Sequence, residues 1–171
     1  MRAGEIDLAV IYRFEAGDPA EDPDSRLIST HLAHDPYALA VPASSRLARK
    51  RRLKVDDLAW ASWCTAPPGT TATLLLQQFC REHDGFEPKL DYPTEGVAMA
   101  QPLIAAGLAV SLLPSLNLAR PHPGVAVREL PIVPPGRDVW CVRPAGRRLP
   151  AALPMLEALA RAAARYQGSP A

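Results

Sequence analysis

Apolar positions along the chain switch between two spacings, and the switches mark its elements. Ile6, Leu8, Val10 and Ile11 make a mostly apolar, β-branched run, so Glu5 to Tyr12 reads as a strand. Leu27 to Ala33 alternates as a second strand, Asp35-Pro36 interrupts, and Tyr37 to Pro42 follows as a third. Trp60 to Thr65 is an apolar, aromatic strand whose two tryptophans, three residues apart, do not share a face, so at least one belongs at an edge. Leu75 with Phe79, and Leu76 with Cys80, then repeat at i, i+4 and predict a helix over Thr71 to His83. Leu90 to Pro93 is a short strand, after which Thr94-Glu95 reads as the cap and first turn of a helix running toward Gly107. Gly107 suits the left-handed end of that helix, and Leu108 to Leu113 forms a buried strand closed by Pro114. Pro102 inside the helix predicts a kink or a later start, because proline removes one backbone hydrogen bond. A short helix at Pro114 to Ala119, strands at Val125 to Leu130 and Val139 to Val142, and a last helix from Pro150 complete the order; Leu153, Leu156, Leu159, Ala160 and Ala163 form that helix's apolar stripe. Alternating strands and helices place the chain in the α/β class.

The candidate chemistry gathers where strands hand over to helices. Ala66-Pro67-Pro68-Gly69-Thr70-Thr71 ends a strand, turns, and opens a helix with two hydroxyl residues. A helix start leaves about four amides unpaired and carries positive dipole character, which suits a carboxylate or phosphate. Thr70 or Thr71 can donate a hydroxyl proton to such an anion, and either can also serve as the N-cap. Thr94 heads the next strand-to-helix turn, expected at the same edge, and Tyr12 and Arg13 end the first strand, where open α/β sheets place ligand contacts. The expected site is therefore Gly69, Thr70, Thr71, Thr94, Tyr12 and Arg13.

Other groups carry less. Asp18, Glu21, Asp22 and Asp24 lack the spacing of a calcium loop and read as a solvated loop, so no metal is expected. Ser44 to Arg52 is the most basic segment, but without interleaved aromatic residues or a helix-turn-helix pattern it reads as an exposed charged connection. Val55 to Leu58 gives an aspartate cap before a short helix, and Cys64 reads as a small buried filler.

Composition narrows the partners. A formal net charge of +1 argues against a generally basic nucleic-acid binder, and the 19 prolines are scattered as punctuation. Three cysteines without a C-x-x-C pair suggest neither a disulfide framework nor a zinc ribbon. No apolar run nears the ~20 residues that span a bilayer. The acidic N-terminal residues do not resemble a secretory signal, so a cytoplasmic protein with no membrane partner is expected. Phosphate-loop, G-x-S-x-G, H-E-x-x-H and G-x-G-x-x-G motifs are all lacking, so we expect neither catalysis nor a cofactor.

Several segments, taken in order, resemble the effector-binding (substrate-binding) domain of LysR-type transcriptional regulators. Gly4-Glu5-Ile6-Asp7-Leu8-Ala9-Val10 looks like the family's G-x-x-D-L-A-I, and Asp35-Pro36 through Val41-Pro42 like its D-P-y-x-L-x-V-P. Arg46-Leu47-Ala48-Arg49 fits its surface linker with the usual proline absent, and Ala105-Ala106-Gly107 to Leu113-Pro114 matches its second sub-domain. The resemblance runs from about Gly4 to Arg165. It implies a type II periplasmic-binding-protein-like α/β fold of two lobes joined by two crossings, residues 1–42 with 132–171 forming an incomplete first lobe and 43–131 the second. It also implies a small anionic metabolite held at the strand-to-helix turns and a homo-oligomer in the full-length family. DNA contact is expected only through an N-terminal winged helix-turn-helix that these residues do not include. Met1 is accordingly expected to be a mid-gene start, and the isolated product poorly soluble, with its second lobe the better ordered. A solute-binding protein of the same fold is the alternative.

Overall fold

The computed structural model describes residues 6–14, 26–145, 150 and 152–167, so the expected acidic loop and Gly4-Glu5 lie outside the described residues. The chain divides into two units, Met1–Asp35 with Gly136–Ala171, and Pro36–Pro135. These divisions differ from the expected 42/43 and 131/132. The reason is that Tyr37–Pro42 (β3) pairs with later strands of the second unit.

In the first unit, β1 (Ala9–Phe14), β2 (Leu27–Asp35) and β8 (Arg137–Pro144) form an antiparallel sheet in the order β1-β8-β2, and α5 (Ala152–Gln167) packs on β2. An irregularity between His31 and Ala33 turns both His31 and His34 toward Asp138, at 2.9 and 3.4 Å. Asp35 and Arg137 face each other in register, and the guanidinium donates from Nε and Nη2 to one carboxylate oxygen at 3.0 and 2.9 Å. Asp35 is fully buried, so the pair exists because neither charge can be left alone in the interior. The apolar stripe of α5 is narrower than expected: Leu156, Leu159 and Ala163 are half-buried, whereas Leu153 and Ala160 face solvent.

The second unit is built on two small sheets that one bridge links. β3 lies between β6 (Ser111–Pro114) and β7 (Val125–Arg128), both antiparallel to it, and β4 (Ser62–Thr65) runs parallel to β5 (Lys89–Pro93). A parallel bridge Trp63↔Val110 joins the pairs, with Cys64 N–H donating to Val110 O and Val110 N–H to Ser62 O. Alternate residues on these strands feed opposite faces. Leu39, Val41 and Trp63 join Leu76, Phe79 and Cys80 of α2 (Thr71–Asp84), while Ala40 and Cys64 join Ala100 and Ile104 of α3 (Val97–Ala105) and Leu118 of α4 (Ser115–Leu118). Covering both faces explains why these strands read as apolar runs rather than alternations.

Helix ends follow local chemistry. Gly85 closes α2 at φ +67°, and Gly107 follows the C-cap of α3 at φ +80°. α3 starts at Val97 with Gly96 as N-cap, later than the expected Thr94-Glu95, which moves Pro102 closer to the helix start but leaves it inside. The expected aspartate cap is instead a 3₁₀ turn, Asp56–Leu58, behind Val55; the Asp57 carboxylate accepts from Lys54 N–H at 2.9 Å. β4 begins two residues after Trp60, which stands 80% exposed, whereas Trp63 is fully buried.

Candidate functional site

Parallel pairing of β4 with β5 brings two strand-to-helix turns side by side. Thr65 pairs with Pro93, and Thr94 N–H donates to Thr65 O at 2.8 Å, so the segments leading into α2 and α3 leave the same edge of this sheet. Gly69, Thr70, Thr71 and Thr94 thereby lie on segments that leave the same edge of this sheet.

The turn before α2 is held by its own hydroxyls. Gly69 takes φ +82°, a conformation that disfavours any residue with a Cβ. Thr70 occupies the N-cap position, but its side chain makes no capping bond; its hydroxyl donates to Pro67 O at 2.8 Å instead. Thr73, only 1% exposed, donates to Ala66 O at 2.7 Å and sits 3.1 Å from the Thr70 oxygen. These bonds fix the loop without capping the amides of the first turn. Contrast α1 (Arg46–Arg49), where the Ser45 hydroxyl accepts from Ala48 N–H in the usual way. Thr71, half-buried as the first helical residue, is the hydroxyl of the turn not committed to a carbonyl among the described residues.

The second turn is less favourable to an anion. Thr94 is held by its backbone bond to Thr65, and its hydroxyl lies 3.4 Å from Thr65 O and 3.7 Å from the Cys64 sulfur. It does not cap α3, whose N-cap is Gly96. The exposed Glu95 beside that N-terminus places a carboxylate where an anion would gain from the helix dipole. Cys64 fits the expected filler: burial, offset in part by Thr94, pushes its thiol above the ordinary range.

Tyr12 and Arg13 belong to the first unit. Successive residues of β1, they take opposite faces of its sheet: the Arg137 guanidinium lies 3.9 Å over the Tyr12 ring, and that of Arg13 lies 5.2 Å from the Trp140 ring. Thr73 was not among the expected site residues. Its signal is that it shares a face with Leu76 and Cys80, where a hydroxyl must find a partner.

Residues 1–164 match the family described as LysR substrate binding domain. In fold the chain is similar to the CcmR regulatory domain of Synechocystis PCC6803 in complex with 2-PG, at TM-score 0.72 and 18% identity over 95% of this chain and 76% of that one. It is also similar to full-length CbnR complexed with target DNA, at TM-score 0.69 and 21% identity, covering 95% of this chain and 55% of that one. HinK, a LysR family transcriptional regulator from Pseudomonas aeruginosa, matches at TM-score 0.69 and 18% identity, over 94% of this chain and 53% of that one. The chain thus spans about half the length of the full regulators it matches. A search of curated proteins found no match.

Proposed function

The chain belongs to the LysR substrate-binding domain family, whose members are regulators rather than enzymes, and from that premise we propose that it senses a small anionic metabolite at the head of α2. The observation that carries this reading is the uncapped N-terminus of α2. Its first-turn amides have no side-chain cap and the Thr71 hydroxyl is uncommitted among the described residues, in a turn locked by Thr70 and Thr73, with Gly69 adding no side chain. Donors fixed in advance bind an anion without the cost of ordering a loop. Thr94 lines the same edge but contributes less, because Glu95 opposes negative charge there.

The CcmR domain, which shares this fold, is known with 2-PG bound, and this supports a small molecule as the kind of occupant. On this reading the domain acts in the cytoplasm, within a homo-oligomer, and its effector state is passed to DNA by another part of a longer regulator; full-length CbnR on its target DNA offers the parallel. Membership in a family of regulators favours sensing over solute transport.

A thermal-shift screen with small carboxylates and phosphates tests the proposal. A ligand present at about 100 times its Kd should stabilise the protein by ~2.7 kcal/mol. Thr71→Val should weaken that ligand about tenfold, worth ~1.4 kcal/mol, while leaving the melting of the free protein unchanged. If no anion shifts the melt, or the variant binds as well as the parent, the site is not there.

A further inference from the structure

At the other end of β4 the second unit carries an open cleft of about 570 Å³, lined by Arg46, Leu47, Arg49, Lys50, Asp56, Asp57 and Trp60. It lies before Ser62, the first residue of the strand, whereas the threonine turns follow Thr65, so it is separate from the site above. Read linearly, the basic segment has no aromatic neighbour. In the fold, Trp60 lines the same cleft as Arg46 and Arg49, exposed over 80% of its surface, and Lys89 at the start of β5 stands 5.9 Å from its ring centroid.

The charges of this cleft are not equivalent. Lys50 is neutralised by Asp57 at 2.5 Å, a contact that, with Lys54 N–H, holds the Asp57 carboxyl below its ordinary range. Arg49 donates to the Ser44 carbonyl at 2.8 Å, and neither it nor Arg46 is ion-paired among the described residues. Asp56 leaves one exposed acceptor. The basic segment is anchored: the Arg128 guanidinium donates to Ala48 O at 2.6 Å and also to Lys50 O, and Leu53, Val55 and Leu58, neighbours in sequence of the lining residues, are buried in the core. Two guanidiniums with no carboxylate partner among the described residues favour phosphate, an exposed indole favours a flat ring, and a nearby carboxylate favours a ring bearing a donor. The volume suits a small ligand rather than a strand.

We propose that this cleft is a second ligand site, one that takes a mononucleotide-like molecule, its ring on Trp60 and its phosphate on Arg46 and Arg49. Equilibrium dialysis of labelled AMP against the whole chain reads this directly, with adenosine, ribose 5-phosphate and a short single-stranded oligonucleotide as competitors. AMP should bind saturably, adenosine and ribose 5-phosphate each at least about tenfold more weakly. Trp60→Ala and the double variant Arg46→Ala/Arg49→Ala should each cost about tenfold or more, with circular dichroism unchanged because all three side chains are exposed or half-exposed. Absence of saturable AMP binding, unchanged binding in both variants, or an oligonucleotide that binds more than about tenfold tighter than AMP would each overturn the assignment, the last in favour of a nucleic-acid surface. Thr71→Val should leave AMP binding intact, which separates this site from the effector turn.

Discussion

At the scale of single residues, the proposed site in the second unit rests on two threonines with opposite duties. Thr73 is buried and donates to Ala66 O, so Thr73→Val removes the donor and leaves a carbonyl unpaired inside the turn. We expect a loss of about 1–3 kcal/mol in urea unfolding. Thr71→Val should change stability by less than about 0.5 kcal/mol and act only on binding. Reversed magnitudes would mean that the turn is held some other way. Cys80 makes the pH test. Burial is the main reason its thiol is pushed up from 9.0 to about 12, with Glu87 adding to the effect. The unfolded thiol ionises first as pH rises, so the stability from keeping Cys80 neutral is full below about pH 9 and is lost between there and about pH 12. Cys80→Ala should flatten that alkaline fall when unfolding is followed across this range; an unchanged fall would assign it to other groups.

At the scale of elements, the two units differ in how their sheets are covered. The β3, β4 and β6 strands are packed on both faces by α2, α3 and α4, whereas β1 is an edge among the described residues, with Val10 and Tyr12 exposed by 44% and 53%. An open apolar edge invites pairing with other chains. Val10→Lys should lower light scattering of concentrated protein without altering its helical content, and equal scattering would show that β1 is not the sticky element. The same contrast explains what could be read in advance. Apolar runs, the Gly107 stop and the Thr71 start were legible because they depend on neighbours in sequence. Three features were not. Gly96 displaced Thr94 as the cap because the Thr94 amide pairs with Thr65, 29 residues earlier. The buried Asp35 and Arg137 pair spans 102 residues. Trp60 meets Arg46 only in the fold, so the basic stretch looked like a bare connection. Of the expected site, the topology was legible to the extent that the segments carrying Gly69, Thr70, Thr71 and Thr94 leave the same sheet edge. Which hydroxyl stays uncommitted is a matter of atomic contacts that no spacing reports.

At the scale of the whole molecule, most of the buried apolar side chains belong to the second unit, in two clusters on opposite faces of its strands. Stability should therefore be uneven along the chain. Hydrogen exchange should show the slowest amides in β3, β4 and β6 and faster exchange in β1, β2 and α5; uniform protection would contradict this. The proposed sensing draws on that unevenness: a firm unit would supply preset donors, and a ligand binding them would stabilise the folded form by mass action. The proposed donors are the first-turn amides of α2. Titrating ¹⁵N-labelled protein with the anion found by thermal shift, and following amide chemical shifts, tests it most directly. Saturable shifts centred on Thr71, Ala72 and Thr73 are expected; shifts centred on other residues, with these three unmoved, would rule out that site.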